Sequence, residues 1–263
     1  MSLPELHLRE WRATKDTLHL YAQIVGKIRL ATSAPRNHWW NVPLYVDVRG
    51  LTTRRLHHQG TTFEIRFDLV DHALVVQTSD GRVRSFGLAD GLSVSEFDAR
   101  LHETLAELGV DVEIREQPFG VPMTTPFPLD HEHASWDREA IERFARILDW
   151  SDSVLEEFSG WFSGKTSPIH LFWHSFDLAV TRFSGRPAPA IHDAVTEEAA
   201  IHEPAPSGTA KPFDAPATQT SITQRKPPNT WRANKQQPQQ QPHRLACERT
   251  MRPSRSVSVV SDP

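Results

Sequence analysis

The stretch Phe63–Glu–Ile–Arg–Phe–Asp–Leu69 alternates without a break: Phe63, Ile65, Phe67 and Leu69 fall on one side, Glu64, Arg66 and Asp68 on the other. Successive side chains of an extended chain point to opposite faces, so this pattern describes a strand with one buried and one wet face. That is the habit of antiparallel sheet, since parallel sheets are covered on both faces and read as continuous apolar runs. Neighbouring segments conform. Val42, Leu44, Val46 and Val48 alternate ahead of Gly50, a turn at Asp71–His72 leads to Leu74–Thr78, and Asp80–Gly81 supplies a tight hairpin before Val83–Leu88. Four sequential strands joined by short turns predict a meander.

On either side of the meander the apolar period changes to three and four. Residues 9–32 predict a helix with Trp11, Leu18, Tyr21, Val25 and Ile28 on one face and a polar stripe of Arg12, Asp16, His19, Gln23 and Lys27 on the other. Ser93 followed by Glu96 is a capping-box start for a second helix, whose buried stripe is Phe97, Leu101, Leu105 and Leu108 and whose stop is Gly109. Val110, Val112 and Ile114 then alternate as a fifth strand, followed by a proline-rich connection from Pro118 to Pro128. A third helix starts near Asp137 with Ile141, Phe144, Leu148, Leu155, Phe158 and Phe162 on one side, and Ile169–Phe183 reads as one long, bent sixth strand. The expected fold is α+β: a five- to six-stranded, mostly antiparallel sheet with three helices packed on one face.

Composition sets the domain boundary. Of the chain's 20 prolines, 10 lie after Ala200, and the run Gln236–Pro242 contains no apolar side chain other than proline. Such a segment cannot bury enough surface to offset its chain entropy, so residues 1–190 are expected to fold and 191–263 to form a disordered Pro/Gln/Arg-rich tail. Charge divides at the same place. The chain has 29 basic and 33 acidic residues; 9 and 4 of these lie from Ile201 onward, leaving 20 and 29 before it, a net −9. An acidic folded part argues against nucleic acid as partner, because phosphate binding needs clustered Lys and Arg. The single cysteine, Cys247, falls in the tail, which leaves no disulfide framework. Neither a signal-peptide layout nor an apolar run of ~20 residues is present, so the expectation is a cytoplasmic protein with no membrane partner.

Several blocks resemble a known family. Asn37–His–Trp–Trp–Asn–Val–Pro–Leu–Tyr45, Arg49–Gly–Leu–Thr–Thr53, Phe63–Glu–Ile–Arg–Phe–Asp68, Ser167–Pro–Ile–His–Leu–Phe–Trp173 and Ser175–Phe–Asp–Leu–Ala–Val–Thr–Arg–Phe–Ser–Gly–Arg186 carry the likeness. Together, over about residues 3–186, they resemble DUF5996, a bacterial family of unknown function. The resemblance implies a shared fold and brings no activity and no catalytic residue. Two departures stand out: the family pattern has a small residue where His174 stands, and members continue into an aromatic- and glycine-rich C-terminal part. Here composition turns to Pro, Gln, Arg and Ser after Glu197–Glu198, as a frameshifted or replaced C-terminus would.

Residue chemistry narrows the candidate sites. Gly164–Lys165–Thr166 lacks the upstream glycine and the strand-to-helix order of a phosphate loop. Among 14 histidines no pair has ligand spacing on its expected element, so neither a metal nor another cofactor is expected. His38, Trp39 and Trp40 sit at a helix–strand junction, where adjacent tryptophans on a strand must face opposite ways. Asp177, in an aromatic stretch, is expected either to pair with Arg182 or Arg186 or to carry a raised pKa. These residues suggest an aromatic pocket lined by His38, Trp40, Trp173, Asp177 and Arg182 that takes a small molecule. The alternatives are an enzyme using His38 and Asp177 as an acid–base pair, and a protein-interaction domain that pairs through a sheet edge or exposed aromatic patch.

Overall fold

The helix nearest the N-terminus organises everything else. In the structure, a computed structural model that describes residues 3–185, helix α1 runs Leu8–Thr32, and every residue from Thr17 to Arg29 is buried. The expected polar stripe therefore splits. Arg12 stays exposed and Asp16 half-buried, whereas His19, Gln23 and Lys27 face inward. They can do so because each meets backbone or ring. Gln23 donates to the Phe119 carbonyl and accepts from the Phe119 amide, both at 2.8 Å, His19 Nε2 lies 3.1 Å from the His174 carbonyl oxygen, and the Lys27 ammonium lies 5.9 Å from the centre of the Phe127 ring. A buried polar group without such a partner would cost about 1–3 kcal/mol.

The apolar face of α1 packs on a six-stranded sheet: β1 (Tyr45–Asp47), β2 (Gly50–Thr52), β3 (Leu56–His58), β4 (Thr61–Asp68), β5 (Ala73–Thr78) and β6 (Val83–Gly87). All pairings are antiparallel in the order β1-β2-β4-β5-β6, with β3 also on β4. Phe63, Ile65, Phe67, Leu74 and Val76 form the buried face, and the Asp80–Gly81 turn closes β5 onto β6 through the Gly81 amide and the Thr78 carbonyl at 3.0 Å. The first expected strand is really a hairpin. Asp47 Oδ1 accepts from the amides of Arg49 and Gly50, which turns the chain and leaves Val48 at the tip, 94 % exposed. Gly50 is required there: its φ is +145°, and a Cβ would lie 2.4 Å from the Phe67 carbonyl oxygen.

Helix α2 (Val94–Glu107) starts as its capping box predicts, with Ser93 Oγ accepting from the Glu96 amide at 3.2 Å. Beyond Gly109, Val110 and Val112 are buried but Val110–Ile114 forms no strand, so the alternation there reflects packing of an extended segment without a ladder. Helix α3 (Arg138–Gly160) is capped by Asp137, whose Oδ1 accepts from the Ala140 amide at 3.1 Å, and it buries Ala140, Ile141 and Leu148. The expected sixth strand is also a hairpin, β7 (His170–Phe172) with β8 (Asp177–Ala179), in a separate two-stranded sheet. Phe176, at φ +56°, closes its turn by donating to the Phe172 carbonyl at 2.7 Å. Leu44 and Leu171 exchange amide-to-carbonyl bonds of 2.9 and 2.8 Å, tying this hairpin to the entry of β1. The tail and the frameshift expectation lie outside the described residues. None of the described helices is long and apolar enough to cross a membrane.

Candidate functional site

The Asn37–Trp39 turn between α1 and β1 is strained: His38 and Trp39 both have φ of 58°. Left-handed backbone costs an L-residue with a Cβ roughly 1–2 kcal/mol, so the surrounding contacts must hold it. They do so through the His38 ring, which sits 5.3 Å from Trp40 and 4.6 Å from Phe183, and whose Nε2 accepts from Lys165 Nζ at 2.8 Å. The Lys165 ammonium in turn lies 5.5 Å from the centre of the Trp40 ring and 4.9 Å from that of Phe183. An ammonium over ring faces is attracted by their quadrupoles. Partial burial and the Lys165 charge both push the His38 pKa down, which keeps its Nε2 an acceptor.

Trp40 belongs to a second feature as well. An open groove of about 630 Å³ runs between it, Val46, Arg54, the last turns of α3 at Asp152, Glu156 and Ser159, and the stretch Thr166–Ile169. Asp152 and Glu156 are four apart on α3 and so share a face. Burial first, then the charges of Glu156 and Asp149, raise the Asp152 pKa against the opposing pull of Arg54. The Arg54 guanidinium stacks 3.6 Å from the centre of the Tyr45 ring, and buried Arg29 approaches the same ring at 5.3 Å while donating to the Thr53 carbonyl. Burial pushes the Arg29 pKa down. Behind the groove, His170 is 2 % exposed with neither ring nitrogen hydrogen-bonded, beyond a weak approach to the Pro168 carbonyl, and its pKa is lowered chiefly by burial.

The five residues expected to line one pocket are dispersed. His38 and Trp40 stand together at the groove's end. Trp173 is 1 % exposed in the core, its Nε1 donating to the Val42 carbonyl at 3.0 Å and its ring filling the space that a Cβ on Gly26 would need. Asp177 is exposed opposite Phe172, accepting a hydrogen bond from Ser175 Oγ. The expected ion pair with Arg182 is not formed, because that guanidinium lies 3.4 Å from the centre of the Phe158 ring instead.

Lys165, Phe183, Arg54, Asp152 and Glu156 are not legible as site residues in the sequence. The carboxylates at 149, 152 and 156 do mark one helix face, but nothing local to Lys165 signals the ring box around it. Among the described residues no three His, Cys, Asp or Glu side chains are placed to hold a metal ion.

Fold and groove together define an α+β domain in which a buried N-terminal helix is clasped between an antiparallel sheet and a β-hairpin. The chain belongs to the Family of unknown function (DUF5996), whose model matches residues 3–216. No curated protein and no solved structure matches it.

Proposed function

We propose that this domain binds a small polar molecule in the groove beside Trp40. The observation that supports this reading is the convergence there of one half-exposed aromatic wall with charged groups of both signs, Arg54 against Asp152 and Glu156, none of them held in an ion pair within the described residues. Concave sites with an aromatic wall and a few convergent polar groups are the usual make-up of small-molecule sites. A ligand carrying a protonated amine toward the carboxylates and an acceptor toward Arg54 would satisfy both. His38 serves as a positioning residue, holding Lys165 against the far side of the box. The acid–base reading loses support, since the His38 ring is engaged by Lys165 and Asp177 by Ser175.

The test is a panel of small amines, carboxylates and amino acids screened by ligand-observed NMR against the full chain, then against Trp40→Ala and Asp152→Asn. Amines or amino acids should give saturation transfer that both substitutions weaken. A panel with no binder, or a binder indifferent to both changes, would overturn the reading.

A further inference from the structure

Helix α3 is apolar on two sides along different halves. Up to Leu148 it buries Ala140, Ile141 and Leu148, whereas from Asp149 to Gly160 no residue is buried. Yet this second half, continuing to Trp161 at its C-cap, carries Trp150, Val154, Phe158 and Trp161 at 50, 41, 47 and 81 % exposure. Spacings of four, four and three place them on one helix face. A contiguous aromatic stripe of this kind marks a surface that something covers.

The chain beyond Gly185 is the nearest candidate. The described residues end beside the stripe: Thr166 bridges Arg182, the Phe183 amide donates to the Lys165 carbonyl at 2.9 Å, and the Arg182 guanidinium lies across Phe158 and 5.2 Å from the centre of the Phe162 ring. Arg182 also lines a small hollow with Val154, Glu157, Phe158 and Trp161. The family match does not stop there but continues to residue 216, a further 31 positions past 185. Within them Ile191, Ala194, Val195 and Ala199 recur at intervals of three, one and four, an apolar face of helical period, with Asp193, Glu197 and Glu198 between. Tethering makes such docking intramolecular, at an effective concentration of order mM for a short connection.

We infer that the segment 186–216 of this same chain covers the Trp150–Trp161 stripe, laying Ile191 and Val195 against Val154, Phe158 and Trp161. The experiment is hydroxyl-radical footprinting of the full chain read by mass spectrometry, with buried Trp173 as the internal reference for folding. Trp161 should oxidise slowly in the unaltered chain. In the double variant Ile191→Asp/Val195→Asp it should oxidise several-fold faster while Trp173 does not change, at every protein concentration. Fast oxidation of Trp161 in the unaltered chain would show a bare stripe and overturn the inference. Protection that survives the double substitution, or that fades on dilution, would assign the stripe to a second copy or another occupant and overturn it equally.

Discussion

Two tryptophans on neighbouring parts of the fold show how differently one residue type is used. Trp173 is buried to 1 % exposure, bonded through its indole N–H, and seated against a glycine of α1. Trp40 is half-exposed, shares its ring faces with a lysine and a groove, and comes directly after two residues in left-handed backbone. The first surrounding is closed and matched atom to atom, so change there is costly. The second is open and holds charges that form no ion pair among the described residues, so change there should alter binding before stability.

The largest effect should come from Trp173→Ala, which empties an aromatic-sized space beside Gly26 and is expected to cost about 3–5 kcal/mol in denaturant unfolding. Trp40→Ala should cost clearly less; equal losses would erase the contrast between the two sites. Next comes Gln23→Leu, similar in size but unable to serve the Phe119 amide and carbonyl, with an expected loss of about 1–3 kcal/mol. A neutral outcome would mean that water reaches the 118–120 loop.

A third expectation concerns acid. Burial lowers the pKa of His19, His72 and His170 below the ordinary 6.5. A histidine whose folded pKa lies under its unfolded value is neutral in the fold and protonated more readily once unfolded. Its contribution is therefore intact above about pH 6.5 and is lost as pH falls toward the folded pKa. His72 adds a specific reason, since its Nδ1 accepts from Trp136 Nε1 at 3.1 Å and a proton there would end that bond. Stability should fall as pH drops below about 6.5, and His170→Leu should flatten part of that fall. An unchanged acid limb in the variant would remove His170 from the account. The smallest effect should be Asp177→Asn, within about 0.5 kcal/mol because the carboxylate is exposed; a loss of several kcal/mol would show an ion pair that is not formed among the described residues.

The contrast also explains which features are legible in the sequence. Ser93, Asp137, Asp80–Gly81 and the 63–69 alternation announce themselves because caps, turns and one-sided strands act over a few residues. Val48 and the 169–183 stretch mislead because alternation continues through tight turns, where Asp47 and Phe176 reverse the chain in ways that a period of two cannot register. His19, Gln23 and Lys27 look like a wetted helix face because their partners lie roughly a hundred or more residues away in sequence. The site is the least legible part for the same reason: Trp40 can be singled out, but Lys165, Arg54, Asp152 and Glu156 reach it only through tertiary placement. The domain boundary expected at 190 rests on composition, while the family match extends to 216. Limited proteolysis of the full chain should therefore cut beyond about residue 216 first, and early cleavage between 187 and 200 would restore the shorter boundary.

The burial of α1 from Thr17 to Arg29 has a temporal consequence. The helix leaves the ribosome well before its partners, since its His19 partner lies 155 residues further along the chain and its Gln23 partner 96. At roughly 5–20 residues per second, translation would leave that helix without its hairpin for about 8–30 s. Contacts of such sequence separation also slow folding of the finished chain, since long loops must close before they are rewarded. The stripe that resembles a solvent-facing surface in the sequence can therefore be satisfied only in stages, Gln23 and Lys27 once residues 119 and 127 have been made and His19 only with the 170–179 hairpin.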